Sequence, residues 1–121
     1  MLDGASKLVV CGWMVGYGDE SDGVTNRKAT ERPFFKPISL DPRLARLAIN
    51  LASGPLSSGI ILDPMTGTGG FAIEAAIMGR DVIALDLDGK MVKGTRQNIE
   101  WSLEKEDLDN LSLIEISEGD A

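Results

Sequence analysis

A chain of 121 residues, 43% hydrophobic and 5% aromatic, suits one small globular domain with a modest core, and a second full domain does not fit. The formal net charge of -7 argues against the whole chain acting as an electrostatic partner of nucleic acid; a single cysteine, Cys11, excludes an internal disulfide, and with no histidine no zinc or transition-metal site is expected. No apolar run approaches the roughly 20 residues of a membrane span and nothing at the amino end resembles a signal peptide, so a soluble, reducing, cytoplasmic setting is the expectation.

In chain order, Leu8 to Val15 is β-prone and reads as a short strand, and Gly16 to Thr30 is a polar, glycine-bearing connector. Residues 1–30 are therefore expected to be an N-terminal strand and linker, and residues 31–121 the domain proper. Arg32-Pro33-Phe34-Phe35-Lys36-Pro37 is extended or turning, because each proline disfavours helix in the residue before it. Six cations, Arg27, Lys28, Arg32, Lys36, Arg43 and Arg46, stand here against Glu31 and Asp41, a local balance of +4. Such a strip suits RNA phosphates, and equally suits a solvated helix face. Asp41-Pro42 is an N-cap acid with proline at the first helical position; Leu44, Leu47, Ala48 and Leu51 then follow with helical spacing until Gly54-Pro55.

Ile60 to Asp63 and Val82 to Asp86 are continuously apolar before their terminal acids, the pattern of parallel strands covered on both faces. Between them a helix runs from about Thr68 to Met78, stopped by Gly79, with Ala72, Ala75 and Ala76 letting it sit close to the sheet. A further helix is expected from about Gly89 to Leu103, with Val92, Ile99 and Leu103 inward and Arg96 and Glu100 outward, and a third strand over Leu111 to Ile116. The result is half of a doubly wound α/β sheet with flanking helices, spatial order 3-2-1. Its first strand lies at an open edge, to be covered by Leu8 to Val15, by a second copy in a homodimer, or by a partner chain.

The loop Asp63-Pro64-Met65-Thr66-Gly67-Thr68-Gly69-Gly70, with Asp86 closing the next strand, is the layout of a nucleotide site. Gly67 to Ala72 fits G-x-G-x-x-A, and Asp86 follows at about the twenty-residue interval of a dinucleotide fingerprint. Asp63 argues for a different ligand. A carboxylate at the strand mouth opposes a pyrophosphate but favours the sulfonium and ammonium of S-adenosylmethionine, whose carboxylate the loop amides and helix start are suited to take. Read alone, Asp63 also fits a simple turn starter before proline.

Three stretches, Arg32 to Arg46, Asp63 to Ala75, and Asp86-Leu87-Asp88 with Met91-Val92, resemble the THUMP-associated RNA methyltransferases, the archaeal tRNA guanosine N2-methyltransferases above all. The similarity runs from about Arg32 to Ala121. It implies that Asp63, Gly67, Thr68 and Gly69 form the methionine end of an S-adenosylmethionine site, which Phe35, Lys36 and Pro37 line. Asp86 would hold the ribose hydroxyls, and Asp120 would accept from the adenine amine. Lys36 stands where such proteins usually show histidine. The family's Asn- or Asp-Pro-Pro-Tyr motif and its THUMP domain do not occur in these 121 residues. The expectation is the cofactor-binding half of a tRNA guanine N2-methyltransferase, with no catalytic residue of its own and tRNA met through other regions. A non-catalytic cofactor-binding or partner subunit is the alternative, and a nicotinamide-binding oxidoreductase piece the third reading.

Overall fold

A computed structural model of the chain describes residues 8–14, 23–54, 59–109 and 112–120. After a short helical turn, α1 (Gly23–Asn26), and a 3-10 turn (Ala29–Glu31), helix α2 (Pro42–Ser53) starts where the sequence predicts. The Asp41 carboxylate accepts the Arg43 N–H at 2.8 Å and Pro42 fills the first position, while the Gly54 N–H closes the far end on the Asn50 carbonyl. The chain then alternates strand and helix: β1 (Ile60–Asp63), α3 (Gly70–Ile77), β2 (Asp81–Asp86), α4 (Gly89–Lys105) and β3 (Ile114–Glu118). Gly79, at a φ of +69°, ends α3 by turning its amide back onto Ala76.

The three strands pair in parallel in the order β1-β2-β3, the expected order read from the other edge. Ile61, Val82 and Ile114 share one cross-strand row and Asp63, Ala84 and Ile116 another, and this face of the sheet carries α3 and α4. The core comprises Ala72, Ile73, Ala75 and Ala76 of α3, Val82 and Ala84, Ile99 and Leu103 of α4, Ile116, and Ile49 of α2. Each fully buried isoleucine or valine contributes roughly 1.5–3 kcal/mol of transfer free energy. The small side chains of α3 bring it down onto β1 and β2, and α2 stacks on α3 from outside.

Four expectations are corrected. Leu8–Met14 forms no strand and is exposed, so it does not cover β1; Val15 lies outside the described residues, as does Pro55. Within α2 the buried residues are Pro42, Ala45 and Ile49, whereas Leu44, Leu47 and Leu51 are 58%, 54% and 77% exposed: the helix turns its small residues toward α3. β1 is not covered on both faces, since Ile60 and Leu62 are 56% and 60% exposed on the side away from the helices. Right-handed crossovers running in one direction put α3 and α4 on the same face, which leaves the other without a helix among the described residues.

The basic strip is the fourth. Glu74, on α3, is fully buried, and its two carboxylate oxygens accept from Arg27 Nε and Arg46 Nε, each at 3.0 Å. Arg27 also reaches Glu106, and the buried Arg32 donates to the Arg27 carbonyl at 3.1 Å. Three of the six cations thus surround one buried acid rather than a phosphate backbone. Burial lowers the affinity of Arg27 for its proton, but hydrogen bonds and charges from Glu74 and Glu106 outweigh it and raise the pKa. For Arg32 burial dominates, the Arg27 charge adds to it against Glu74 and Asp41, and the pKa falls; its two terminal nitrogens have no hydrogen-bond partner. Removing Glu74 would leave the buried Arg27 with only Glu106 as a charge partner and its Nε unpaired, and would strand Arg46 Nε as well. Glu74→Ala is expected to cost about 3–5 kcal/mol, read as a fall in urea midpoint at unchanged slope, and a loss below about 1 kcal/mol would show that water already screens the cluster.

Candidate ligand site at the glycine loop

Beyond Asp63 the backbone makes two left-handed residues, Gly67 at a φ of +57° and Gly69 at +85°, which only glycine adopts without strain. Gly69 has a second reason to be glycine, since a β-carbon there would sit 2.9 Å from the Thr95 methyl of α4. The loop is held from three sides. Asp86 Oδ2 accepts the Gly67 N–H at 2.9 Å, Thr95 Oγ1 donates to the Gly67 carbonyl at 3.0 Å, and Asn98 Nδ2 donates to the Thr68 carbonyl at 2.9 Å. The Gly69 N–H turns back to the Thr66 carbonyl at 2.8 Å.

These bonds change which amides are available. The Gly67 and Gly69 N–H groups are spent inside the protein, and the first-turn amides of α3, Gly70 and Phe71 among them, have no partner within the helix. Both residues line a cavity of about 250 Å³ together with Lys36, Met65, Thr66, Gly67, Thr68 and Met91, and with Ile38 and Leu40. Of the three residues expected from the Phe-Lys-Pro stretch only Lys36 lines this cavity; Phe35 and Pro37 are exposed. A second cleft, bounded by Pro64, Met65, Asp86, Leu87 and Asp120, opens beyond the ends of β1 and β2. Asp86 and Asp120 therefore do share one cleft. Asp86 Oδ1 also accepts the Asp88 N–H at 2.9 Å, so each oxygen offers a ligand only its remaining lone pair. Asp88 caps α4 by accepting the Lys90 N–H at 2.8 Å.

Asp63 lies to the side of the glycine cavity, in an apolar groove with Ala48, Ile49 and Ala52 of α2 and Ile61, Leu62, Pro64 and Phe71. Phe71 is the wall common to both. Asp63 is buried and its Oδ2 has no hydrogen-bond partner. Burial raises the Asp63 pKa, the nearby Asp86 charge adds to the rise, and the polar groups of Thr66 and Met65 offset only part of it.

The residues that hold this site together carry no motif in the sequence. Thr95, Asn98 and Ser102 form a fully buried polar line on α4, beside the apolar Ile99 and Leu103. Gly94 is covered by the Phe34 ring so closely that a β-carbon would fall 2.1 Å from it. Polar residues recurring at i, i+3 and i+7 on the inward side of an amphipathic helix were the available signal. Among the described residues no group of acids, cysteine or histidine could hold a metal ion, and no helix is long and apolar enough to cross a membrane.

A parallel sheet with clefts beyond the carboxyl ends of its strands, around a glycine loop and an acid closing the second strand, defines an open α/β unit of the doubly wound class. The chain belongs to the RMKL-like methyltransferase domain family, whose sequence pattern matches residues 29–111. It is 51% identical over 70 residues, 58% of its own length, to a tRNA (guanine(10)-N2)-dimethyltransferase of Methanothermobacter thermautotrophicus, of which it covers 20%. It is 47% identical over 75 residues, 62% of its length, to the enzyme of that name from Pyrococcus abyssi, covering 22% of it. A tRNA (guanine(10)-N(2))-methyltransferase of Saccharomyces cerevisiae is 33% identical over 90 residues, 68% of the chain and 21% of the relative. The chain thus spans about a fifth of the length of these relatives.

The buried Asp63 has a cost that pH exposes. Its pKa is higher folded than unfolded, so the folded state binds the extra proton, and stability falls as pH rises from the ordinary carboxylate value through the raised one. Asp63→Asn removes that charge. It is expected to be more stable than the parent at pH 7.5 by about 1 kcal/mol or more, with the difference shrinking below the ordinary carboxylate range. Equal stability in urea titrations at pH 7.5 would mean that a donor or water already satisfies Oδ2.

Proposed function

We propose that this chain is the S-adenosylmethionine-binding portion of a tRNA methyltransferase acting on the N2 amine of guanine. The observation that carries the reading is the buried Asp63 carboxylate, whose Oδ2 has no hydrogen-bond partner, beside a glycine loop already held by Asp86. A pyrophosphate in the glycine cavity would lie beside that buried negative charge, whereas a ligand with a cationic end gains from it. Membership of the methyltransferase family and the names of the relatives support the same choice.

On this reading Lys36 and the Gly70 and Phe71 amides take the carboxylate of the methionine moiety, and Asp63 favours its ammonium across Phe71. Asp86 accepts from the ribose with the lone pairs that Gly67 and Asp88 leave free. Met65 and Leu87 would line the adenine end of the cleft, and Asp120 would accept from the adenine amine. When bound, the cofactor supplies an electrophilic methyl on a sulfonium. Transfer to an exocyclic amine also needs a group to orient that nitrogen and accept its proton. We assign this group to a region of the enzyme outside these 121 residues, which hold no Pro-Pro-Tyr stretch.

Calorimetric titration of the chain with S-adenosylhomocysteine and, separately, NAD tests the cofactor class. Binding of the former and not the latter is expected, with Asp86→Ala costing about 1.5–3 kcal/mol of binding for lost charge-assisted hydrogen bonds and Asp88→Ala much less. Tighter binding of NAD would replace the reading with a nicotinamide site, to which the G-x-G-x-x-A spacing of Gly67 to Ala72 also conforms.

A further inference from the structure

The segment from Phe34 to Leu40 crosses the glycine loop as an arm with no regular secondary structure, and it carries Lys36 into the loop cavity. Such a segment has no ladder of its own to fix it, yet it is tied down at both ends. At the far end Ser39 Oγ and Thr68 Oγ1 lie 2.9 Å apart in a hydrogen bond, and the Leu40 side chain fills the space beside Gly70 that a β-carbon would need. At the near end everything converges on one side chain. Asn98 Oδ1 accepts the Phe34 N–H at 2.9 Å, and Asn98 Nδ2 donates to the Phe34 carbonyl at 2.8 Å and to the Thr68 carbonyl at 2.9 Å.

Asn98 is fully buried, and its amide nitrogen donates to two backbone carbonyls, one on the arm and one on the glycine loop. Aspartate in its place keeps the acceptor but turns a second oxygen toward those two carbonyls, and leucine would leave three backbone groups without partners. We propose that Asn98 is a positioning residue that sets the spacing between the Lys36 arm and the glycine loop, and so tunes the end of the cleft that receives the amino-acid part of the ligand. The proposal rests on the methyl-donor reading for the identity of that ligand. It does not rest on it for the clamp itself.

The two ends of the ligand separate a positioning role from a merely structural one. S-Adenosylhomocysteine spans both clefts, whereas adenosine needs only the one bounded by Asp86, Leu87 and Asp120. Asn98→Ala and the smaller-perturbation Asn98→Ser are expected to weaken S-adenosylhomocysteine at least tenfold while changing adenosine less than twofold. In hydrogen-exchange measurements without ligand, the Phe34 amide should lose protection while Val82 and Ala84 in β2 keep theirs. Equal loss for both ligands, or unchanged S-adenosylhomocysteine affinity in a variant that keeps β2 protected, overturns the positioning role and leaves the cofactor reading standing. A parent chain that binds neither ligand overturns the cofactor reading instead. The exchange result then decides the clamp alone: unchanged Phe34 protection in both variants refutes it.

Discussion

A loop built on two left-handed glycines has no side chains with which to hold its own shape, and everything else at this site follows from how that lack is met. The grip comes from elsewhere in the chain: Asp86 at the end of β2 from below, and Thr95 and Asn98 on α4 from behind. Each of these contacts takes a backbone group of the loop out of circulation. What remains exposed to a ligand is therefore defined by subtraction, down to the first-turn amides of α3 and the residual lone pairs of Asp86. These backbone groups are satisfied within the chain, and a ligand that leaves them in place keeps more of its interaction energy for binding.

The second constraint is electrostatic. Glu74 sits on the helix that grows out of the glycine loop, and it draws Arg27 from the segment ahead of the domain and Arg46 from α2 onto one point. A buried pair of this kind is weak evidence for stability, because desolvation consumes much of the attraction. Its effect is to fix where the preceding segment attaches. The negatively charged molecule thereby spends its locally concentrated positive charge internally, and the exposed members of the strip are Lys28 and Arg43, with Lys36 turned toward the cleft.

Much of this was legible in the sequence, for reasons that separate the successes from the failures. β1 and the start of α2 were readable to the residue because an acid or a proline marks the boundary, and the order of strands followed from chirality alone. The acid at the end of β2 was recognisable by its interval from the loop. Burial was less legible. Leu44, Leu47 and Leu51 satisfy helical periodicity as well as Ala45 and Ile49 do, and only the small residues of α3 decide which set faces inward. Likewise β-propensity in Leu8–Met14 describes what a segment prefers, not whether an edge is within its reach. The clamp residues Thr95 and Asn98 were hidden because their partners are backbone groups some 30 positions away, and backbone leaves no mark in a residue pattern.

The contact between Phe34 and Gly94 carries a consequence for how the sequence can drift. The ring occupies the volume that any side chain at position 94 would claim, so the two positions behave as a single site shared between the arm and α4. Neither is free to change first: a larger residue at 94 ejects the ring, and a smaller one at 34 opens a void over a bare helix backbone. Among related chains this lock predicts paired exchange, bulk moving from one position to the other, and an alignment would display it as covariation between an apparently ordinary aromatic and an apparently dispensable glycine.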